Sequence, residues 1–255
     1  MNTIKMVVTD LDGTFLQSDE SISGRTISAF KRCRERGLKL AYATGRGATS
    51  TMIVPSELFD GFVRCNGAVT HDGNKLVQSS LIDIDAVRPL LLAFVKNGFE
   101  IVAECSGVHC STFNVTERWK WLIESKIVDF NTFSGRAEKI YSPSACVEVR
   151  ELLATYTPPD YYSNSSNDGF SFIMHKDATK SKGVSALANR WGIKSDEIVA
   201  FGDDTNDIYL LEYCGIGVAM GNALDNIKAA ANEICDTNNN DGVAKWLEEN
   251  LLLAN

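Results

Sequence analysis

The stretch VVTDLDGTFL, Val7 to Leu16, sets two carboxylates, Asp10 and Asp12, two residues apart at the end of an apolar run. The run Ile4–Thr9 is continuous rather than alternating in polarity, so it predicts a strand buried on both faces, as in a parallel sheet. Two unit charges about 4 Å apart repel by roughly 1 kcal/mol in water and about 4 kcal/mol at the effective dielectric of a protein surface. A chain that brings such charges to the end of a buried strand needs something positive to offset them.

The sequence around this stretch repeats one grammar. Thr26–Glu35 has a helical pattern and ends at Gly37, Leu38–Thr44 reads as a second buried strand, Thr49–Leu58 as a helix, and Phe62–Cys65 as a third strand. Near the other end, Ser181–Trp191 reads as a helix with Ser181 as its N-cap. Glu197–Phe201 then reads as a strand, followed by GDDTND, a helix through Leu211–Tyr213, and the short apolar runs Gly217–Met220 and Glu233–Cys235. Strand–helix–strand units of this length imply a right-handed parallel α/β sheet. Between the halves, a helix near Asp85–Lys96 is mixed with the apparent strands FEIVAE, GVHCSTF, ACVEVR and FSFIMH. The expected architecture is therefore a Rossmann-like, doubly wound parallel-sheet core (1–82 and 179–255) with an inserted α+β cap (83–178). SNSSND and TNNND read as loops.

Composition narrows the function classes. The chain has 255 residues, 44% of them hydrophobic and 23% charged, which suits a globular protein with a real core. A net charge of -8 argues against a nucleic-acid footprint. No apolar run is long enough for a membrane span, and the N-terminus lacks the h-region of a secretory signal. The seven scattered cysteines form no CxxC pair, so they are expected to be reduced thiols in a cytoplasmic protein rather than zinc ligands.

In open α/β sheets, ligands bind outside the carboxyl ends of the strands. Four polar clusters fall at such ends or at the helix starts facing them: Asp10/Asp12, Thr44-Gly45-Arg46, Ser181-Lys182-Gly183, and Asp203/Asp204/Asn206/Asp207. Several carboxylates in one pocket call for a cation, and an all-oxygen donor set selects a hard one, Mg²⁺ before Ca²⁺. An aspartate can act as nucleophile in phosphoryl transfer. A second aspartate can protonate the leaving oxygen and then activate water. Thr44 offers a hydroxyl to a phosphoryl oxygen and Lys182 a positive charge.

DLDGT (Asp10–Thr14), ATGR (Ala43–Arg46), KG (Lys182–Gly183) and GDDTND (Gly202–Asp207) together resemble the four motifs of the haloacid dehalogenase-like phosphatases. NGA (Asn66–Ala68) and DGVAKWL (Asp241–Leu247) resemble the Cof-type subgroup with a C2B cap. The resemblance implies Asp10 as nucleophile and metal ligand, and Asp12 as general acid/base that also ligates metal through its carbonyl. It implies Thr44 as phosphate-binding hydroxyl with Gly45 allowing the turn, and Asp203 as metal carboxylate. Lys182 matches the motif-three lysine, with Lys180 a lower-ranked competitor. Asn206 and Asp207 match residues that orient the lysine, phosphate and metal waters, and Arg46 is similar to a substrate-contacting arginine. Asp204 reads as a loop acid, and His71, His109 and His175 as structural or surface residues.

The expected activity is Mg²⁺-dependent hydrolysis of a small phosphate monoester, sugar phosphates first, through an aspartyl-phosphate. A phosphosugar mutase and a non-catalytic Mg²⁺- or phosphate-binding signalling module are the alternatives. The expected protein is a monomer whose partner is its substrate. Trp119 and Trp121 are candidates to stack on a sugar, with core packing the favoured reading.

Overall fold

A computed structural model of the chain describes residues 3–120, 122–165 and 169–252. Trp121 and the end of SNSSND lie outside the described residues. The chain divides into two units: Met1–Gly45, Ser50–Gln78 and Thr179–Asn255 form one, and Arg46–Thr49 with Ser79–Ala178 the other. The longer segment of the second unit runs from Ser79 to Ala178.

The first unit is built on an eight-stranded sheet. Its order is Glu233–Ile234, Ile216–Ala219, Ile198–Gly202, Met6–Thr9, Lys39–Ala43, Gly61–Arg64, Val69–Asp72 and Lys75–Ser79. Pairing is parallel from Glu233–Ile234 through Gly61–Arg64, as expected for strands buried on both faces. Val69–Asp72 then pairs antiparallel with Gly61–Arg64, an edge addition that the apolar pattern did not announce. The strand sequence runs outward in both directions from the Met6–Thr9/Ile198–Gly202 pair, which is therefore the switch point of the sheet. The register sets Thr9 beside both Tyr42 and Phe201, so Asp10 and Gly202 emerge side by side at the carboxyl edge.

Helices cover this sheet by their apolar faces. Gly24–Glu35 is capped by the Ser23 hydroxyl and buries Ala29, Phe30 and Cys33. Lys180–Trp191 buries Gly183, Val184, Leu187 and Ala188. A Cβ at Gly183 would lie 2.4 Å from Val63 Cγ1, so glycine is what lets this helix sit against the sheet. The helix expected over Thr49–Leu58 is interrupted: Ser50–Ile53 is helical, and Ser56–Leu58 is a separate turn after Pro55, which has no N–H to donate.

The second unit has its own core. A six-stranded sheet runs Tyr161–Ser165, Ser171–His175, Lys139–Ser142, Val102–Cys105, Val108–Ser111 and Ser125–Ile127. It is antiparallel except for the last pair. The helices Ile84–Lys96 and Val147–Tyr156 join its core. ACVEVR is therefore not a strand: Val149 and Leu153 recur at helical spacing and are buried beside Leu90 and Phe94, and this packing overrides the β-branched residues. Trp119 sits in an aromatic cluster, 6.2 Å from both Tyr141 and Phe170 between ring centroids, against Val102 and Val115. Among the described residues no cysteine is joined in a disulfide.

Candidate active site

The carboxyl edge of the first unit assembles a charged cluster from three separate segments. Asp10 follows the Met6–Thr9 strand, and its amide donates to Phe201 O at 2.9 Å. The chain then turns at Asp12 (φ -74, ψ 124) and Gly13 (φ 73, ψ 0). These are the dihedrals of a type II turn, which demands a residue tolerant of positive φ at its third position. Glycine is required there twice over, because a Cβ at position 13 would lie 2.2 Å from Asp203 Oδ2. Thr14 Oγ1 closes the same gap by donating to Asp203 Oδ1 at 2.8 Å.

The cation of the cluster is Lys180. Its ammonium donates to Asp10 Oδ1 at 2.6 Å and to Asp207 Oδ1 at 2.7 Å, with Lys180 1% and Asp207 0% exposed. The second oxygen of Asp207 accepts the amides of Asp203 and Asp204, each at 3.2 Å. Lys182, the expected lysine, is exposed instead. The reason is the helix start. Thr179, rather than Ser181, is the N-cap, its hydroxyl accepting the Lys182 amide. Lys180 is thereby the first helical residue, and Lys182 lies about 200° further around the helix, on the opposite side. Asp204 caps the short turn that follows it, as a loop acid.

The NGA segment contributes more than the motif comparison assigned to it. Cys65, Asn66 and Gly67 all have positive φ, at 45, 52 and 113°. The Asn66 amide donates to Thr44 O at 2.9 Å, and Asn66 Oδ1 accepts from Asn206 Nδ2 at 3.0 Å. A Cβ at Gly67 would lie 2.2 Å from Thr179 O, so this turn packs directly under the start of the Lys180 helix. Thr44 is buried at the end of Lys39–Ala43, its amide donating to Val63 O at 2.9 Å. A Cβ at Gly45 would be 3.2 Å from Asn66 Oδ1. Arg46 groups with the second unit. Asp12 is exposed and lines a polar cleft with Gly13, Asn222 and Asn238.

Electrostatics decide what this cluster is suited to hold. Oxygens of Asp10, Asp203 and Asp207 lie within 4.8 Å of one another. Burial pushes the Asp10 carboxyl well above its ordinary range, with Lys180 opposing the shift and Asp207 adding to it. Burial likewise raises Asp203 to about 6, although the Thr14 hydrogen bond pulls the other way. Burial alone would lower the Lys180 ammonium, but Asp10 and Asp207 hold it above its ordinary value. One lysine does not neutralise this many carboxylates. With Asp207 already engaged by Lys180 and two amides, Asp10 and Asp203 are the carboxylates suited to a hard cation, and the all-oxygen donor set fits Mg²⁺.

Comparison with known proteins agrees with this geometry. Residues 7–247 match the family model of the haloacid dehalogenase-like hydrolases. A Haemophilus influenzae protein, provisionally named a phosphatase, is 30% identical over 96% of this chain and 97% of its own length. The 5-amino-6-(5-phospho-D-ribitylamino)uracil phosphatase YitU of Bacillus subtilis is 27% identical, with 96% of each chain covered. Among solved structures, a subclass IIB sugar phosphatase of the same superfamily superposes with a TM-score of 0.78 at 27% identity, covering 96% of this chain and 98% of that one.

Proposed function

Because the chain belongs to the haloacid dehalogenase-like hydrolase family, we propose that it is a Cof-type phosphatase that hydrolyses small phosphate monoesters through an aspartyl-phosphate on Asp10. The observation that carries this reading is the buried Lys180 ammonium bridging Asp10 and Asp207 beside Asp203. A nucleophilic carboxylate is thereby fixed in orientation at the switch point of the sheet, with a permanent positive charge against it.

Asp10 attacks phosphorus, and the bond from phosphorus to the ester oxygen breaks as Asp12 gives that oxygen its proton. Asp12, now a carboxylate, takes a proton from water as the water attacks the aspartyl-phosphate; phosphate leaves and Asp10 is restored. General acid–base catalysis of this kind contributes about 10²- to 10⁴-fold. Lys180 holds the attacking carboxylate and offsets phosphoryl charge. Thr44, the Gly45 turn and Asn206 supply hydrogen bonds to the phosphoryl oxygens, with Asn66 fixing the Asn206 amide. Asp10, the Asp12 carbonyl and Asp203 are the groups that would hold Mg²⁺, which when bound would supply the positive charge that lets several carboxylates and a phosphate share one site.

The substrate is a small aliphatic phosphate ester, with sugar phosphates foremost. Support comes from the sugar phosphatase and the phosphoribityl phosphatase among the similar proteins. Arg46 and the second unit are assigned to the recognition of the leaving group. The chain acts as a cytoplasmic monomer in this reading; among the described residues no helix is long and apolar enough to cross a membrane. A panel of phosphorylated metabolites assayed for phosphate release with Mg²⁺ and with EDTA tests it. Release with Mg²⁺ alone is expected, whereas isomer interconversion without release would indicate a mutase, and binding without turnover a non-catalytic module.

A further inference from the structure

The Asp12–Gly13 turn is braced from a part of the chain that none of the four motifs includes. Asn222, after the Ile216–Ala219 strand, donates from Nδ2 to Gly13 O at 2.8 Å. Its other amide atom, Oδ1, accepts the backbone amide of Asn238 at 3.0 Å. That bond fixes which way the Asn222 amide faces, since a flipped amide would set Nδ2 against an N–H. Asn238 is buried and donates from its own Nδ2 to Leu16 O at 2.9 Å, beyond the far end of the turn. The backbone on either side of Asn238 is tied down as well. Asp236, two residues earlier, accepts the Thr237 amide at 2.8 Å and the Lys245 ammonium at 2.6 Å. Downstream, Asp241 adopts φ 56, and a Cβ at Gly242 would lie 2.0 Å from Asp236 O.

We propose that Asn222 and Asn238 are positioning residues for the reaction, acting in series to hold the Asp12–Gly13 peptides so that the Asp12 carboxyl meets the leaving oxygen. The type II turn has a near neighbour in type I, reached by rotating the peptide between Asp12 and Gly13. Gly13 O belongs to the next peptide, so Asn222 holds the flank about which that rotation would occur. Thr14 pins one side of the turn through Asp203, and Asn222 pins the other through Gly13 O. Solvent competes for an exposed bond such as that of Asn222, so its value is orientation more than stability. This also gives the TNNND loop a purpose that its turn composition alone does not reveal.

The inference rests on the phosphatase reading, and its test separates the two. Asn222→Ala, Asn238→Ala and the double variant are assayed with Mg²⁺ on an alkyl phosphate, whose leaving oxygen needs a proton, and on p-nitrophenyl phosphate, whose leaving oxygen does not. Supporting residues around reactive groups typically account for about 10- to 100-fold. That loss is expected in the rate of phosphoenzyme formation on the alkyl ester, with a change of about threefold or less in the same step on the aryl ester. Rapid quench reads this step, because hydrolysis of the shared aspartyl-phosphate is slowed for both. The double variant should lose no more than the larger single loss, because the two residues form one chain of contacts. Amide exchange in the metal-free protein is the second readout. The Phe15 and Leu16 amides, which donate to Asp10 O and Leu11 O, should exchange faster in Asn222→Ala while those of Val199 and Ala200 do not. Asn222 is exposed, so this variant keeps its core. Equal losses on both esters, additive losses, or unchanged Phe15 and Leu16 exchange would overturn the brace. A wild-type protein inactive on both esters would overturn the phosphatase reading, and the exchange measurement would still decide the brace.

Discussion

Lys180 and Lys182 differ by two positions and are otherwise equivalent in composition, yet only one has its ammonium buried between two carboxylates. Removing one partner of such a cluster leaves uncompensated buried charge, which typically costs about 3–5 kcal/mol. Lys180→Met should therefore lower the melting temperature and reduce turnover by about 10²- to 10³-fold, a scale typical of a lost charge-stabilising group. Lys182→Ala should leave both within a small factor. A reversed ranking of the two variants would remove Lys180 from the reaction. The aspartates were legible from sequence because DLDGT and GDDTND announce them. The lysine was not, because both Thr179 and Ser181 are good N-caps, and the choice between them turns the helix start by a little over half a revolution.

Asp203 gives a prediction with a defined sign. Its folded-state pKa of about 6 lies above the unfolded value, so the protonated form is favoured by folding. Its stabilising contribution is complete below the unfolded pKa, near 4, and is lost as pH rises through about 6. In EDTA, Asp203→Asn should therefore raise the melting temperature at pH 7, and the gain should vanish near pH 4. With Mg²⁺ the order should invert, because the wild type gains the ion's binding energy and the variant forgoes it. Thermal melts across pH with and without Mg²⁺ check this, and an Asp203→Asn gain that persists at pH 4 would mean that relief of carboxylate burial is not the cause.

At the scale of elements, the site depends on close approach between turns. Gly67 stands at φ 113 with Thr179 O where a Cβ would go, so the NGA turn and the first turn of Lys180–Trp191 are fitted to each other. Gly67→Ala should force them apart and add backbone strain, costing about 1–3 kcal/mol in stability. Turnover should fall beyond what the unfolded fraction explains, since Lys180 moves with the turn. Denaturant melts together with kcat measure both, and a variant with native kcat would show that the two turns are not coupled. Buried parallel strands were readable because their apolar runs are continuous. ACVEVR reads as a strand because Val147 and Val149 favour strand locally, whereas the buried positions Val149 and Leu153, in one core with Leu90 and Phe94, make Val147–Tyr156 a helix. The Val69–Asp72 and Lys75–Ser79 edge strands carry mixed polarity and gave no signal above that of a loop.

At the scale of the molecule, the buried charge cluster lies wholly within the unit formed by Met1–Gly45, Ser50–Gln78 and Thr179–Asn255. The second unit has a separate core of its own. Replacing Ser79–Ala178 by a short glycine–serine linker should leave a folded core that turns over p-nitrophenyl phosphate slowly and no longer discriminates among metabolites. Retained discrimination, measured as the spread of kcat/KM over a metabolite panel, would show that recognition resides in the first unit. The insert as a separate α+β body could be read from its change of pattern, but its substrate could not. Specificity depends on how side chains meet one particular leaving group, and loop composition does not encode that. The central claim is narrower and more accessible: phosphate passes through Asp10. Rapid quench of Asp12→Asn mixed with substrate and Mg²⁺, followed by peptide mapping under acid conditions, measures it directly. With p-nitrophenyl phosphate, whose leaving oxygen needs no proton from Asp12, the account predicts an acid-stable, hydroxylamine-labile phosphoryl group on the peptide that contains Asp10, accumulating because its hydrolysis is slowed. Phosphate release by the wild type with no such adduct, or an adduct on any other side chain, would contradict it.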